Sequence, residues 1–176
     1  MLLGFVYLPM VLIINRLGKL MDKILIYTDG SSRGNPGPGG FGAILMWAGK
    51  TKEIHEAYRK TTNNRMELLA VIKALLALKT KTLPIHIYTD SKYVVESVEK
   101  KWLNNWIKTD FKGGKKNKDL WLQYHKVAAP FTIKFHWVKG HSDNAYNNRC
   151  DVLATMAADN GPWKIDEVFE LNEAAK

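Results

Sequence analysis

One four-residue phrase occurs twice in this chain, as Ile26-Tyr27-Thr28-Asp29 and as Ile87-Tyr88-Thr89-Asp90. Each copy closes a short apolar run, 23–28 and 85–89, bounded by Asp-Gly in the first case and Asp-Ser in the second. Runs of that length and composition read as strands. Near-continuous apolar character is what a strand covered on both faces needs, as central parallel strands are. If the two runs are neighbours, their ends lie side by side, about 5 Å apart. That is the sheet end where open α/β folds place their sites. Two carboxylates so close repel, and one takes up a proton unless a divalent cation holds both ionised.

The rest of the chain supplies a sheet for these strands. The Gly- and Pro-rich stretch 30–42 reads as a loop. Runs 41–47 and 51–58 flank Ala48-Gly49-Lys50 and form a plausible hairpin. Residues 65–79 are apolar nearly all round and rich in strong helix formers, which predicts a buried helix. A helix begins at Lys92, another covers 120–128, a strand runs over 131–138, and a last amphipathic helix covers 147–159. Three strands followed by alternating helices and strands predict an α/β fold, a mixed sheet covered by helices. At 176 residues the chain makes one domain with a core that needs no staples. Cys150 is the only cysteine, so no intrachain disulfide forms, and a reduced, cytoplasmic setting fits. It reads as a buried thiol.

Residues 1–20 stand apart. The stretch 2–14 is almost wholly apolar, yet too short to span a bilayer, which takes about 20 residues. It has no basic segment before it and no evident cleavage site. Three readings stay open: an upstream extension with Met21 as the true start, which is the one favoured, an ordered apolar arm, or a membrane-attached extension.

Two further acids stand out. Glu67 is the only acid between Arg65 and Thr80, within the apolar helix, and Asp151 falls on the first turn of the last predicted helix. Each of the four acids has an ordinary structural use. Asp29 before Gly30 suits a turn, and Asp90 suits a helix cap. Asn64-x-x-Glu67 and Asn148-x-x-Asp151 resemble capping boxes. Those uses leave the repeated strand ending unexplained. Hard oxygen ligands without a Cys/His cluster suit magnesium or manganese, and a pair of such ions forms a clamp for in-line displacement at phosphorus. His136 and His141 are too weakly arranged to read as a zinc pair. Gly37-Pro38-Gly39-Gly40-Phe41-Gly42 fits a dinucleotide fingerprint formally, but a β-like run follows it where a helix must.

The formal net charge is +9, which calls for an anionic partner, nucleic acid first. Residues 100–118 concentrate it: seven lysines against one acid, with Trp102, Trp106 and Phe111 interleaved.

Six ordered motifs carry a resemblance: Tyr27-Thr28-Asp29-Gly30-Ser31, the run from Gly34-Asn35-Pro36 to Gly40, Thr61-Thr62-Asn63-Asn64-Arg65-Met66-Glu67-Leu68, Thr89-Asp90-Ser91-Lys92-Tyr93-Val94, Trp137-Val138-Lys139-Gly140-His141 and Asn148-Arg149-Cys150-Asp151. Together they resemble bacterial type 1 ribonuclease H, from about Asp22 to Asn160. The resemblance implies a ribonuclease H-like fold, a five-stranded mixed sheet with helices on both faces. It implies a catalytic domain at 21–160, a basic protrusion at 100–118 and a tail at 161–176. The activity it implies is endonucleolytic hydrolysis of the RNA strand of RNA–DNA hybrids during replication and repair. The products are 5′-phosphate and 3′-hydroxyl ends. By the same resemblance Asp29, Glu67, Asp90 and Asp151 bind two Mg2+ ions, with Mn2+ as a substitute, and His141 serves proton shuttling or product departure. Gly34, Asn35, Asn63 and Asn64 read the minor groove, where 2′-hydroxyls mark RNA. Thr62 with Asn35 holds a DNA phosphate, Lys92 stands at the groove edge where some relatives carry Gln, and Trp102 packs on DNA sugars. Trp106 packs within the protrusion. Phe111 replaces a family Trp. No stable protein partner, a monomer and no membrane association are expected. Two rivals remain: a binding module with a dead site, and a nuclease of the same fold that acts on DNA.

Overall fold

The structure, a computed structural model, describes residues 22–175; the expectations placed on residues 1–20 lie outside the described residues. Six strands form one sheet in the order β5-β4-β1-β2-β3-β6. They are β1 (Ile24–Ser32), β2 (Gly37–Trp47), β3 (Lys50–Thr61), β4 (Ile85–Thr89), β5 (Ile133–Trp137) and β6 (Trp163–Lys164). The helices are α1 (Asn63–Leu76), α2 (Lys92–Glu99), α3 (Trp102–Lys108), α4 (Lys118–Ala128), α5 (Ala145–Asn160) and α6 (Glu167–Ala174). The family-based expectation of five strands is exceeded by the two-residue β6, which pairs parallel to β3 at Ala57 and Tyr58.

The sheet is mixed. β1, β2 and β3 are antiparallel neighbours, while β1, β4 and β5 run parallel. Across the parallel pair, Ile26 faces Ile87 and Tyr27 faces Tyr88. The repeated phrase is therefore in register with itself. The β2–β3 hairpin turns through Ala48 and Gly49, whose φ angles of 49° and 74° are those a two-residue turn of right-twisted strands requires.

Two expectations needed correction. β1 does not end before Asp29 but continues to Ser32, and the glycine-rich stretch 37–42 is not loop but the first half of β2. The glycines are there for contact. A Cβ on Gly40 would lie 2.7 Å from the Ala154 carbonyl and the Ala158 nitrogen, and one on Gly42 would collide with the Cys150 carbonyl. Helix α5 thus rests its backbone on β2, a close approach that glycine in a strand often marks.

Helix α1 covers the opposite face. Met66, Leu68, Ala70, Val71 and Ile72 are fully buried with Ile26, Ile85 and Ile87 beneath them. Its N-cap, Thr62, makes no side-chain capping bond. Such a bond is worth about 1 kcal/mol, whereas each large apolar side chain fully buried contributes roughly 1.5–3 kcal/mol. Burial, not capping, holds this helix. Trp121 of α4 is also fully buried, and Trp106, expected to pack within the protrusion, where it meets Phe111 at 6.4 Å, also meets Trp121 edge-on at 5.8 Å and so ties the protrusion to the core. Cys150 is buried, and burial pushes its thiol well above the usual range. Among the described residues no helix is long and apolar enough to cross a membrane.

Candidate active site

The parallel register carries Asp29 and Asp90 to the same sheet edge, each two residues beyond the paired Tyr27 and Tyr88. Glu67 reaches them from the second turn of α1. It can do so because Gly30 has no side chain: a Cβ there would collide with the Glu67 backbone nitrogen. One oxygen from each of Asp29, Glu67 and Asp90 lies within 4.8 Å of the others, the only such group of three or more candidate ligands among the described residues. Asp151 stands outside that triangle. Helix α5 begins at Ala145, so Asp151 occupies its second turn and not, as expected, its first. Its charge still acts on Asp29.

None of the ordinary uses of these acids is realised. The cap of α2 is Ser91, whose hydroxyl accepts from the Val94 N–H, so Asp90 does not cap. The cap of α1 is Thr62, and that of α5 is Asn144, which accepts from the Asn147 N–H; neither helix has the capping box its sequence allowed. Asp29 lies within a strand, not in a turn.

The carboxylates are costly where they stand. Asp29 and Glu67 are each 6% exposed. Burial, reinforced by the charges of Asp90 and then Asp151, pushes Asp29 up to about 8. Burial, then Asp29 and Asp90, drives Glu67 well above the usual carboxylate range. The Oε2 atom of Glu67 is buried with no hydrogen-bond partner. A buried carboxylate oxygen facing two other acids needs a proton or a cation. An all-oxygen donor set of this kind fits a hard divalent ion.

His141 follows in the loop before α5, at a left-handed φ of 51°, with its side chain 85% exposed. Its Nδ1 lies 4.0 Å from Asp151 Oδ2. His136 turns elsewhere and pairs with His86 across β4 and β5 at 2.8 Å.

The expected substrate contacts surround the cluster in two groups. Asn35, Thr62 and Asn64 line one cleft of about 790 Å³ together with Lys115, Lys116 and Lys118 of the basic segment. Asn35 accepts from the Asn63 N–H through its side-chain oxygen, which fixes the 33–36 turn to the start of α1. Gly34 is exposed in that turn at a φ of 103°. Lys92 and Trp102 do not line this cleft. Lys92 is exposed beside Asp90, with its ammonium 5.2 Å from the Trp137 ring. Trp102 is 42% exposed on α3, with Lys100 over its ring at 5.1 Å.

Three residues escaped sequence reasoning as parts of the site. The Gly140 backbone lies against Asp90, so closely that a Cβ would strike the Asp90 carboxylate. Trp137 donates its indole N–H to the Asp90 carbonyl at 2.9 Å, joining the ends of β4 and β5. Arg65 is buried in a network of ion pairs next to Asn64. Gly140 and Trp137 fall in a motif already noted, but nothing local to the sequence marks either as a neighbour of Asp90.

Comparison with known proteins agrees with this fold. The family model described as RNase H matches residues 21–159. A protein named Ribonuclease H from Oleidesulfovibrio alaskensis is 48% identical over 145 residues, covering 80% of this chain and 94% of that protein. One of the same name from Lachnoclostridium phytofermentans is 48% identical over 158 residues, covering 84% and 99%. Among solved structures, LC9-RNase H1, described as a type 1 RNase H with the type 2 active-site motif, superposes with a TM-score of 0.71 at 28% identity, over 79% of this chain and 73% of that one. LC11-RNase H1 in complex with an RNA/DNA hybrid superposes with a TM-score of 0.59 at 26% identity, over 77% and 96%.

Proposed function

The chain belongs to the ribonuclease H family, and we propose that it hydrolyses the RNA strand of RNA–DNA hybrids at the cluster of Asp29, Glu67, Asp90 and Asp151. The observation that carries the reading is the convergence of three buried or half-buried carboxylates at the ends of paired strands, with one Glu67 oxygen unpartnered. Asp29 and Asp151 would hold one divalent ion, and Asp29, Glu67 and Asp90 a second. Bound Mg2+, with Mn2+ as a substitute, supplies Lewis acidity at the phosphate and a water activated at neutral pH. Asp29 belongs to both ligand sets, and its burial keeps its oxygens dry and fixed. Glu67 and Asp90, with Asp29, would hold the cation whose positive charge offsets the negative charge developing on the departing 3′ oxygen. His141, exposed and within reach of Asp151, exchanges protons with solvent there. The products are a 5′-phosphate and a 3′-hydroxyl.

Selection of the hybrid falls to the amides and the lysines. Asn35, Asn63 and Asn64, with the bare backbone of Gly34, suit a wide minor groove that bears 2′-hydroxyls on one strand. Thr62 and the lysines of the cleft suit the DNA backbone, Trp102 its sugars, and Lys92 the groove edge. We take residues 21–160 as the catalytic unit, 100–118 as its protrusion and 161–176 as an appended segment, and we place the protein in the cytoplasm, where Cys150 stays reduced.

The test uses RNA–DNA, RNA–RNA and DNA–DNA duplexes, each with one labelled strand, with and without magnesium. Cutting confined to the RNA strand of the hybrid, and only with the ion, is expected. Cutting of a DNA duplex would favour the DNA-acting relative of the same fold instead.

A further inference from the structure

Arg65 sits two residues before Glu67 on α1, is 3% exposed, and spends its guanidinium on protein. Its Nε and Nη2 donate to the two oxygens of Asp166, each at 2.7 Å. Its Nη1 and Nη2 donate to the two oxygens of Asp119, at 2.9 and 2.7 Å. Asp166 also accepts from the Thr61 hydroxyl at 2.8 Å, and the guanidinium lies 5.4 Å from the Phe169 ring centre. One side chain thereby joins three segments far apart in sequence: the start of α1, the start of α4 where the basic protrusion ends, and the C-terminal segment.

A buried ion triad is weak as a stabilising device, since apolar side chains of the same volume hold such a site as well or better. What apolar contacts do not give is direction, and two bidentate pairs fix the planes of all three groups. Arg65 and Asp119 also line the cleft bounded by Thr62, Asn64, Lys115 and Lys116. That is where the amides beside the carboxylates meet the lysines of the protrusion. We propose that Arg65, with Asp119 and Asp166, is a positioning residue that sets the distance between the carboxylate cluster and the lysine protrusion, so that a single hybrid meets both without rearrangement. This rests on the hybrid-nuclease reading above. Loss of preset spacing acts on binding, because displacing one grip by about 1 Å from its partner is enough to matter.

The full chain and its Asp119→Asn, Asp166→Asn and Arg65→Lys variants are assayed on two hybrids. One is long enough to reach from the carboxylates to the protrusion; the other is truncated short of it. On the long hybrid KM rises about tenfold with kcat within about twofold, and the slope of log KM against log salt shrinks by about 1 as a phosphate contact is lost. On the truncated hybrid the rise in KM is about twofold at most. Equal losses on the two hybrids, the mark of a merely structural role, would overturn the inference, as would no change on either. Should Arg65→Lys melt below the assay temperature, Asp119→Asn decides, because Asp119 is only partly buried. If the parent chain cuts neither hybrid, the nuclease reading falls and the inference falls with it; if the parent cuts both and the variants match it, the inference alone falls.

Discussion

The carboxylate edge and the lysine protrusion, proposed to grip one hybrid, are built on opposite terms. At the edge, charge is held out of water: Asp29 and Glu67 are buried, mutually repelling, and raised far from their ordinary ionisation. At the protrusion, Lys108, Lys112, Lys115 and Lys116 are exposed, and its apolar residues other than the exposed Trp102 turn inward, with Phe111 buried and Trp106 set against Trp121. Buried charges feel burial and each other strongly; exposed ones are screened within about 8–10 Å by ordinary salt. The lesson is that proton and metal concentration govern one end while ionic strength governs the other, and each can be altered while the other is left alone.

The sharpest way to break that division is Asp29→Asn. It removes the carboxylate shared by both proposed ligand sets, and magnesium-dependent cleavage should fall by about 10³-fold or more, with hybrid affinity within about threefold. Single-turnover cleavage and fluorescence anisotropy read the two quantities, and a comparable fall in both would erase the distinction.

The next effect is on stability without metal. Asp29 has a folded-state pKa of about 8 against an unfolded value near 4. Between those limits the folded state binds more protons than the unfolded state, so its stability falls as pH rises from about 4 to about 8. Asp29→Asn lacks this liability. In chelator at pH 9 it should be more stable than the parent, with the gap closing toward pH 4. Urea unfolding across that range checks it; a gap independent of pH would mean the two carboxyl environments are not what burial makes them.

The smallest effect lies at the other end. Neutralising Lys112, Lys115 and Lys116 to Gln should weaken hybrid binding about tenfold at moderate salt and lower the salt slope by about 1–2, with the pH profile of cleavage unmoved. Deleting 100–118 outright is the poorer test, because it would strip Trp106 and Phe111 from the core they cover.

Much of this was legible in the sequence, and the parts that were not share a cause. The Ile-Tyr-Thr-Asp repeat marked both strands, because apolar length is a local property, and it suggested the parallel neighbours that the register bears out, though β1 runs on past Asp29 to Ser32. The stretch 37–42 was misread as loop because its glycines answer to α5, more than a hundred positions later in the chain. The segment after Gly161 was opaque for the same reason: Asp166 takes its role from Arg65 and Thr61, 101 and 105 residues away. Gly140 carried no signal because the neighbour that forbids its side chain, Asp90, lies just past the end of β4, 50 residues earlier in the chain.

The pairing of Tyr27 with Tyr88 has one more implication. Side chains along a strand alternate between faces, so gaining or losing one residue within 85–88 would send Asp90 to the far side of the sheet. A change of two restores the face but slides Asp90 about 6.6 Å along the strand, out of the 4.8 Å triangle it shares with Asp29 and Glu67. At the β2–β3 turn, where a Cβ on Gly49 would meet nothing within 4 Å, the chain has room to lengthen. Descendants of this gene would therefore vary in size at one end of the sheet and keep strict count at the other.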